Sequence, residues 1–177
     1  MAYAASYLRS AALARSGNHY PVTVTLRRPT AEEYGGWSAT SLQEYIDDIV
    51  ASGSMSRQAA EEKGRRDSAE LLPLGLDTPG HLIFRVETDG QAIGWLWMAL
   101  QNPRAEAGVG FIYDISVDEA ARGRGYGRAA MQLAEEEARH NHLHALALNV
   151  FGQNEVARGL YTGLGYRETS VQMRKEL

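Results

Sequence analysis

Arg122, Gly123, Arg124, Gly125, Tyr126 and Gly127 form the stretch of this chain best suited to hold a ligand. Glycines in alternation let backbone amides come within hydrogen-bonding distance of a guest, because no Cβ blocks the approach. An apolar run at 110–117 precedes them and reads as a strand, and a helical pattern begins at Arg128. A helix opening there turns its unbonded N–H groups, and the positive end of its dipole, toward the loop. A phosphate is the guest such a loop suits, although a tight strand-to-helix connection can need the same glycines. A Walker loop is excluded, since no Gly-Lys-Ser/Thr follows. Gly125, Gly127 and Ala130 do satisfy the relaxed Gly-x-Gly-x-x-Ala pattern of dinucleotide binders. Against that guest, the next strand ends in Asn149, Val150 and Phe151 instead of an acidic ribose partner. The chain left after the loop, 128–177, is also too short for a doubly wound sheet.

The elements that must position this loop are legible from periodicity and punctuation. Residues 22–26 alternate Val, Thr, Val, Thr, Leu, a strand pattern, and Thr30 with Glu33 offers a capping box for a helix. Trp37, Leu42, Tyr45, Ile46, Ile49 and Val50 recur at helical spacing until Gly53, and Ser56 can cap a second helix reaching Leu71 and Leu72. Residues 81–87 and 92–100 read as antiparallel strands joined through Asp89-Gly90, a dipeptide favoured in hairpin turns. After the strand at 110–117 and the glycine loop come a helix at 128–140, a strand at 145–150, a helix at 154–164 and a last strand at 166–173. The helix at 128–140 crosses between two strands, so those at 110–117 and 145–150 should be parallel neighbours. The expected fold is α/β, a mixed and mostly antiparallel central sheet flanked by helices.

Length and composition narrow the function. At 177 residues the chain suits one domain, expected at 18–177, with 1–17 as an N-terminal extension or short helix. A net charge of -4 argues against nucleic acid as a partner and mildly favours a cationic one such as an amine. No cysteine is present, which removes disulfides, thiolate metal sites and cysteine nucleophiles together. No stretch has the roughly 20 apolar residues needed to span a bilayer. A cytoplasmic protein without a membrane partner is the expectation. A homodimer is the commonest arrangement on general grounds. His140, His142 and His144 straddle a helix end and a strand start with no accompanying carboxylates, so no metal is expected.

Two further groups of residues carry a resemblance. Arg122-x-x-Gly125-x-Gly127 resembles the pyrophosphate loop, Gln/Arg-x-x-Gly-x-Gly/Ala, of the GCN5-related N-acetyltransferases (GNAT). Asn154, Ala157, Leu160, Tyr161, Leu164, Gly165 and Tyr166 resemble that family's Asn-x-x-Ala-x-x-Leu-Tyr-x-x-Leu-Gly-Phe/Tyr signature, at the family's interval of one helix and one strand. The close match covers 110–171. The stretches at 70–81 and Gly94-Trp95-Leu96-Trp97 resemble a bacterial subgroup with no defined acceptor.

The resemblance implies a GNAT-type fold and an N-acetyltransferase that moves an acetyl group from acetyl-CoA to an amine of a small molecule or peptide by direct transfer, without a metal. A non-catalytic acyl-CoA binding or sensing module is the alternative. It further implies that the backbone of 122–128 holds the CoA pyrophosphate, assisted by the Arg122, Arg124 and Arg128 side chains. The pantetheine arm would pair with Ile115, Ser116 and Val117, and Asn154 would reach toward that arm while capping its helix.

Tyr161 matches the tyrosine that protonates the leaving thiolate or holds its sulfur. Where some relatives carry a basic glutamate this chain has Asn149, an amide that cannot take a proton at neutral pH. Asp114, on the strand beside the proposed arm, is the first candidate for the base. Strand alternation would put it on the face of Ile112 and Ser116, opposite Tyr113 and Ile115. Tyr34, Trp37, Tyr45, Trp95 and Trp97 are candidates for an aromatic acceptor pocket, a set that core packing explains more simply.

Overall fold

The computed structural model describes residues 8–13, 22–173 and 175. Six strands form one sheet in sequence order: β1 (Leu8–Leu13), β2 (Val22–Arg27), β3 (His81–Thr88), β4 (Gln91–Ala99), β5 (Val109–Val117) and β6 (Ala145–Leu148). All neighbours are antiparallel except β5 and β6, which the crossover helix makes parallel. The helices are α1 (Ala31–Ala51), α2 (Arg57–Leu71), α3 (Tyr126–His140) and α4 (Glu155–Thr162).

Local chemistry accounts for the boundaries. Thr30 and Glu33 close a reciprocal capping box at the start of α1, and Ser56 caps α2 through the Ala59 N–H. Between β3 and β4, Asp89 and Gly90 both take positive φ (50° and 73°), the conformation a two-residue hairpin of the right twist needs.

The sheet separates two cores. On one face α3 packs Ala130, Met131, Leu133 and Ala134 against Val24, Leu26, Phe84, Val86, Leu96 and Met98, with Leu160 and Tyr161 of α4, and Leu164 just beyond it, at its margin. On the other, Trp37 of α1 meets Ile83 and Trp97. Strand alternation sends Trp95 and Trp97 to the α1 face and Leu96 and Met98 to the α3 face. The α1–α2 pair closes a small core of its own from Ile46, Ile49 and Ala60.

Three expectations are corrected. Residues 8–13 are a strand, not a helix or loose extension, and pair along β2. The strand expected at 145–150 stops at Leu148, where β6 parts from β5. Residues 166–173 form no strand. Beyond Tyr166 their only apolar side chains are Val171 and Met173, 66% and 89% exposed, so pairing there would bury almost nothing.

Candidate active site

Strand β5 pairs with β4 along its length, but with β6 only from Val109↔Ala145 to Ile112↔Leu148. Beyond Ile112 no described strand lies on the β6 side, so residues 113–117 offer one edge of backbone donors and acceptors that no strand pairs, although the Val117 carbonyl is taken by the Arg122 side chain. That edge contains Ile115, Ser116 and Val117. It leads through the short 3-10 turn at Glu119–Ala121 into the glycine loop.

The loop is shaped for an anion. Gly123 and Gly125 have φ of 75° and 89°, a region that penalises any Cβ. Gly125 is the N-cap of α3 with no side-chain cap of its own, and the first N–H it satisfies is that of Ala129, 3.1 Å from its carbonyl. The N–H groups of Tyr126, Gly127 and Arg128 therefore point outward without a partner among the described residues, at the positive end of the dipole.

The three arginines differ in use. Arg122 donates its Nε–H to the Val117 carbonyl at 2.9 Å, folding the loop back onto β5. Arg128 donates to the Gly163 carbonyl at 2.9 Å and ties the start of α3 to the end of α4. Arg124 is exposed and has no hydrogen-bond or ion-pair partner among the described residues. Asn154 caps α4, its Oδ1 accepting from the Ala157 N–H at 3.0 Å.

Asp114 lies where the expected alternation breaks. The β4–β5 register pairs Trp97 with Asp114 but Met98 with Ile112, so Tyr113 is an extra, bulged residue. A bulge re-aims the side chains after it. Ile112 and Ile115 consequently both join the α3-side core, while Tyr113 and Asp114 both serve the α1 side. The expectation that Asp114 shares a face with Ile112 and opposes Tyr113 is thus overturned. There its Oδ2 accepts a hydrogen bond from Trp37 Nε1 at 3.1 Å. Burial drives its pKa from 3.8 up to about 6; the Trp37 bond acts in the opposite direction, and the nearby Glu44 carboxylate adds to the rise.

Tyr161, on α4, is half-buried at the margin of the α3-side core. Its pKa is raised, chiefly by burial and then by the negative charge of Asp114, so the phenol stays protonated at neutral pH. Its ring lies 5.9 Å from that of Tyr166 at 59°. The charge of Asp114 therefore reaches the Tyr161 phenol, although the two come from separate elements.

The aromatic set is only partly as expected. Trp37 stacks on Trp95 (5.3 Å, 24°), meets Trp97 edge-on (5.8 Å, 89°) and leans on Tyr34 (5.8 Å, 46°). Tyr45 stands apart, donating to Asp67 on α2. Two members escaped the sequence reading: Tyr113 stacks on Trp97 at 4.5 Å, and His81 accepts from Trp97 Nε1 through Nδ1 at 3.0 Å. The strand reading at 81–87 placed His81 on an element without indicating that its ring would enter a tryptophan cluster. Burial lowers the His81 pKa. Among the described residues no group of three or more His, Asp or Glu side chains is arranged to hold a metal ion.

The Acetyltransferase (GNAT) family model matches residues 43–166. The chain belongs to this family. Its relatives include two proteins of Bacillus subtilis (strain 168), the uncharacterized N-acetyltransferases YdgE and YycN. YdgE is 35% identical over 156 residues, covering 86% of this chain and 98% of the relative. YycN is 32% identical over 159 residues, covering 88% and 100%. The crystal structure of YycN superposes with a TM-score of 0.80 at 30% identity, covering 87% of this chain and 98% of that one. The GNAT protein described here is accordingly an acetyltransferase. Its open β5 edge leads through the 3-10 turn into the glycine loop, and Asp114 lies on that same strand.

Proposed function

We propose that this enzyme transfers the acetyl group of acetyl-CoA directly to an amine, with Asp114 as general base and Tyr161 as general acid. The observation that carries the reading is Asp114 itself, a carboxyl on β5 just beyond the point where β6 parts, bonded by Trp37 Nε1–H and with its charge felt by the Tyr161 phenol. Acetyl-CoA fits the residues present: the unpartnered N–H groups of 126–128 suit a pyrophosphate, and the open edge at 115–117 suits an amide-bearing pantetheine arm. The Arg124 side chain is free to add a charge-assisted contact.

In this scheme the acceptor ammonium gives a proton to Asp114, and the freed nitrogen lone pair attacks the thioester carbonyl carbon. The C–N bond forms, the tetrahedral adduct collapses with cleavage of the C–S bond, and the departing thiolate takes the Tyr161 phenol proton; the second proton left on the new nitrogen passes through water to the tyrosinate, which leaves a neutral amide and restores the phenol. A carboxyl titrating near 6 is mostly ionised at neutral pH, yet a stronger base than an ordinary aspartate.

The test is CoA release from acetyl-CoA across a panel of small amines, polyamines, aminoglycosides and peptides. Turnover with at least one amine is expected, with kcat/KM falling as pH drops through about 6. Asp114→Asn should abolish that limb. Confirmed acetyl-CoA binding with silence across the panel would point instead to a non-catalytic module.

A further inference from the structure

We infer that Trp37 is a positioning residue for the reaction, its indole Nε1–H fixing the Asp114 carboxylate through Oδ2 so that Oδ1 is presented to the acceptor amine. This role rests on the reading of Asp114 as the base. The contact is built from both sides. The indole is 6% exposed and cannot swing away, because Trp95 covers one face, Trp97 meets it edge-on and Tyr34 leans against it. Asp114 is aimed at it by the bulge at Tyr113. Oδ1 has no hydrogen-bond partner among the described residues, and it is not among the side-chain atoms sealed from solvent.

Packing alone does not explain the pairing. A buried indole N–H needs an acceptor, and a neutral one suffices. Trp97, in the same cluster, finds one in His81 Nδ1. Trp37 instead uses a carboxylate whose own burial is costly, an arrangement that stability by itself would not favour. The remaining groups around Asp114 do not replace this donor. Glu44 on α1 repels its charge, and Tyr161 on α4 couples to it electrostatically. Within the cluster burial keeps both His81 and Tyr113 toward their neutral forms. A donor to the carboxylate stabilises its charged form, so losing Trp37 Nε1–H should raise the Asp114 pKa.

The experiment has two readouts. In 15N-labelled protein, the Trp37 indole resonance, assigned by its absence in Trp37→Phe, should titrate with the Asp114 midpoint near 6 and stop titrating in Asp114→Asn. In the pH profile of kcat/KM, Trp37→Phe should move the acid limb upward by about one pH unit, the scale of a hydrogen bond to a charged group. The KM for acetyl-CoA should stay unchanged, since Trp37 lies outside the proposed donor site.

If none of the three wild-type indole resonances titrates near pH 6 and stops titrating in Asp114→Asn, the contact is overturned, and this needs no variant of Trp37 to fold. An acid limb unmoved in Trp37→Phe, where the indole did titrate in the wild type, overturns the positioning role alone. An acid limb retained in Asp114→Asn overturns Asp114 as base, and the positioning role with it, while leaving the hydrogen bond standing.

Discussion

Tyr161 can serve as an acid because it is protonated, and both causes of its raised pKa work in that direction: burial disfavours the phenolate, and the charge of Asp114 disfavours it further. Phenylalanine retains the ring that packs beside Tyr166 and removes only the oxygen. Tyr161→Phe should therefore lower kcat by about 100-fold, the lower end of what a positioned general acid contributes, with little change in the Kd for acetyl-CoA. Stopped-flow turnover and calorimetry on the same preparation check the two halves, and an undiminished kcat would remove Tyr161 from the mechanism. Among individual residues, those in contiguous motifs were the readable ones. The glycine loop sits in the conformation its residue types require, and Asn154 caps its helix. Asp114 was proposed for its chemistry but assigned to the wrong face, because one extra residue in β5 reverses a period of two and no residue type announces it.

Among the elements, the strands on either side of the site are held by close backbone approach. A Cβ on Gly94 of β4 would stand 2.1 Å from the Ser116 carbonyl oxygen on β5, against backbone that cannot rotate away. Gly94→Ala should push the two strands apart next to the proposed arm-binding edge. The expected result is a loss of roughly 1–3 kcal/mol, the usual scale for forcing volume into a packed site, measured by urea unfolding. A weaker acetyl-CoA affinity should accompany it, and an unchanged midpoint would show that β4 relaxes freely. The helices and antiparallel strands were legible because their signals are local: a capping box, an Asp-Gly turn, an apolar stripe. The N-terminal strand and the end of β6 were not, since both depend on which neighbour happens to lie alongside.

For the molecule as a whole, the proposed base Asp114 would set function against stability. Its folded pKa of about 6 stands above the unfolded 3.8, so the folded state binds the proton more tightly. The sign follows: this group favours folding fully below about pH 4, and the contribution is lost as pH rises through 6. Glu33 acts oppositely. Arg27 first, then the Thr30 N–H, hold its pKa down at about 2 against 4.5 unfolded, so its contribution is present above 4.5 and lost as pH falls toward 2. The two windows scarcely overlap, which allows the Asp114 effect to be isolated. Asparagine keeps an oxygen for the Trp37 N–H but carries no charge. Asp114→Asn should therefore be more stable than the wild type at pH 8 by about 3 kcal/mol, roughly 6–12 °C in Tm, while losing turnover. The difference should shrink through pH 6 and vanish near pH 4, where the wild-type carboxyl is itself neutral. Thermal melts of both proteins from pH 4 to pH 8 measure it. A variant no more stable than the wild type at pH 8 would mean that Asp114 is solvated well enough to behave as an ordinary carboxylate, and the case for it as a tuned base would fall with that result.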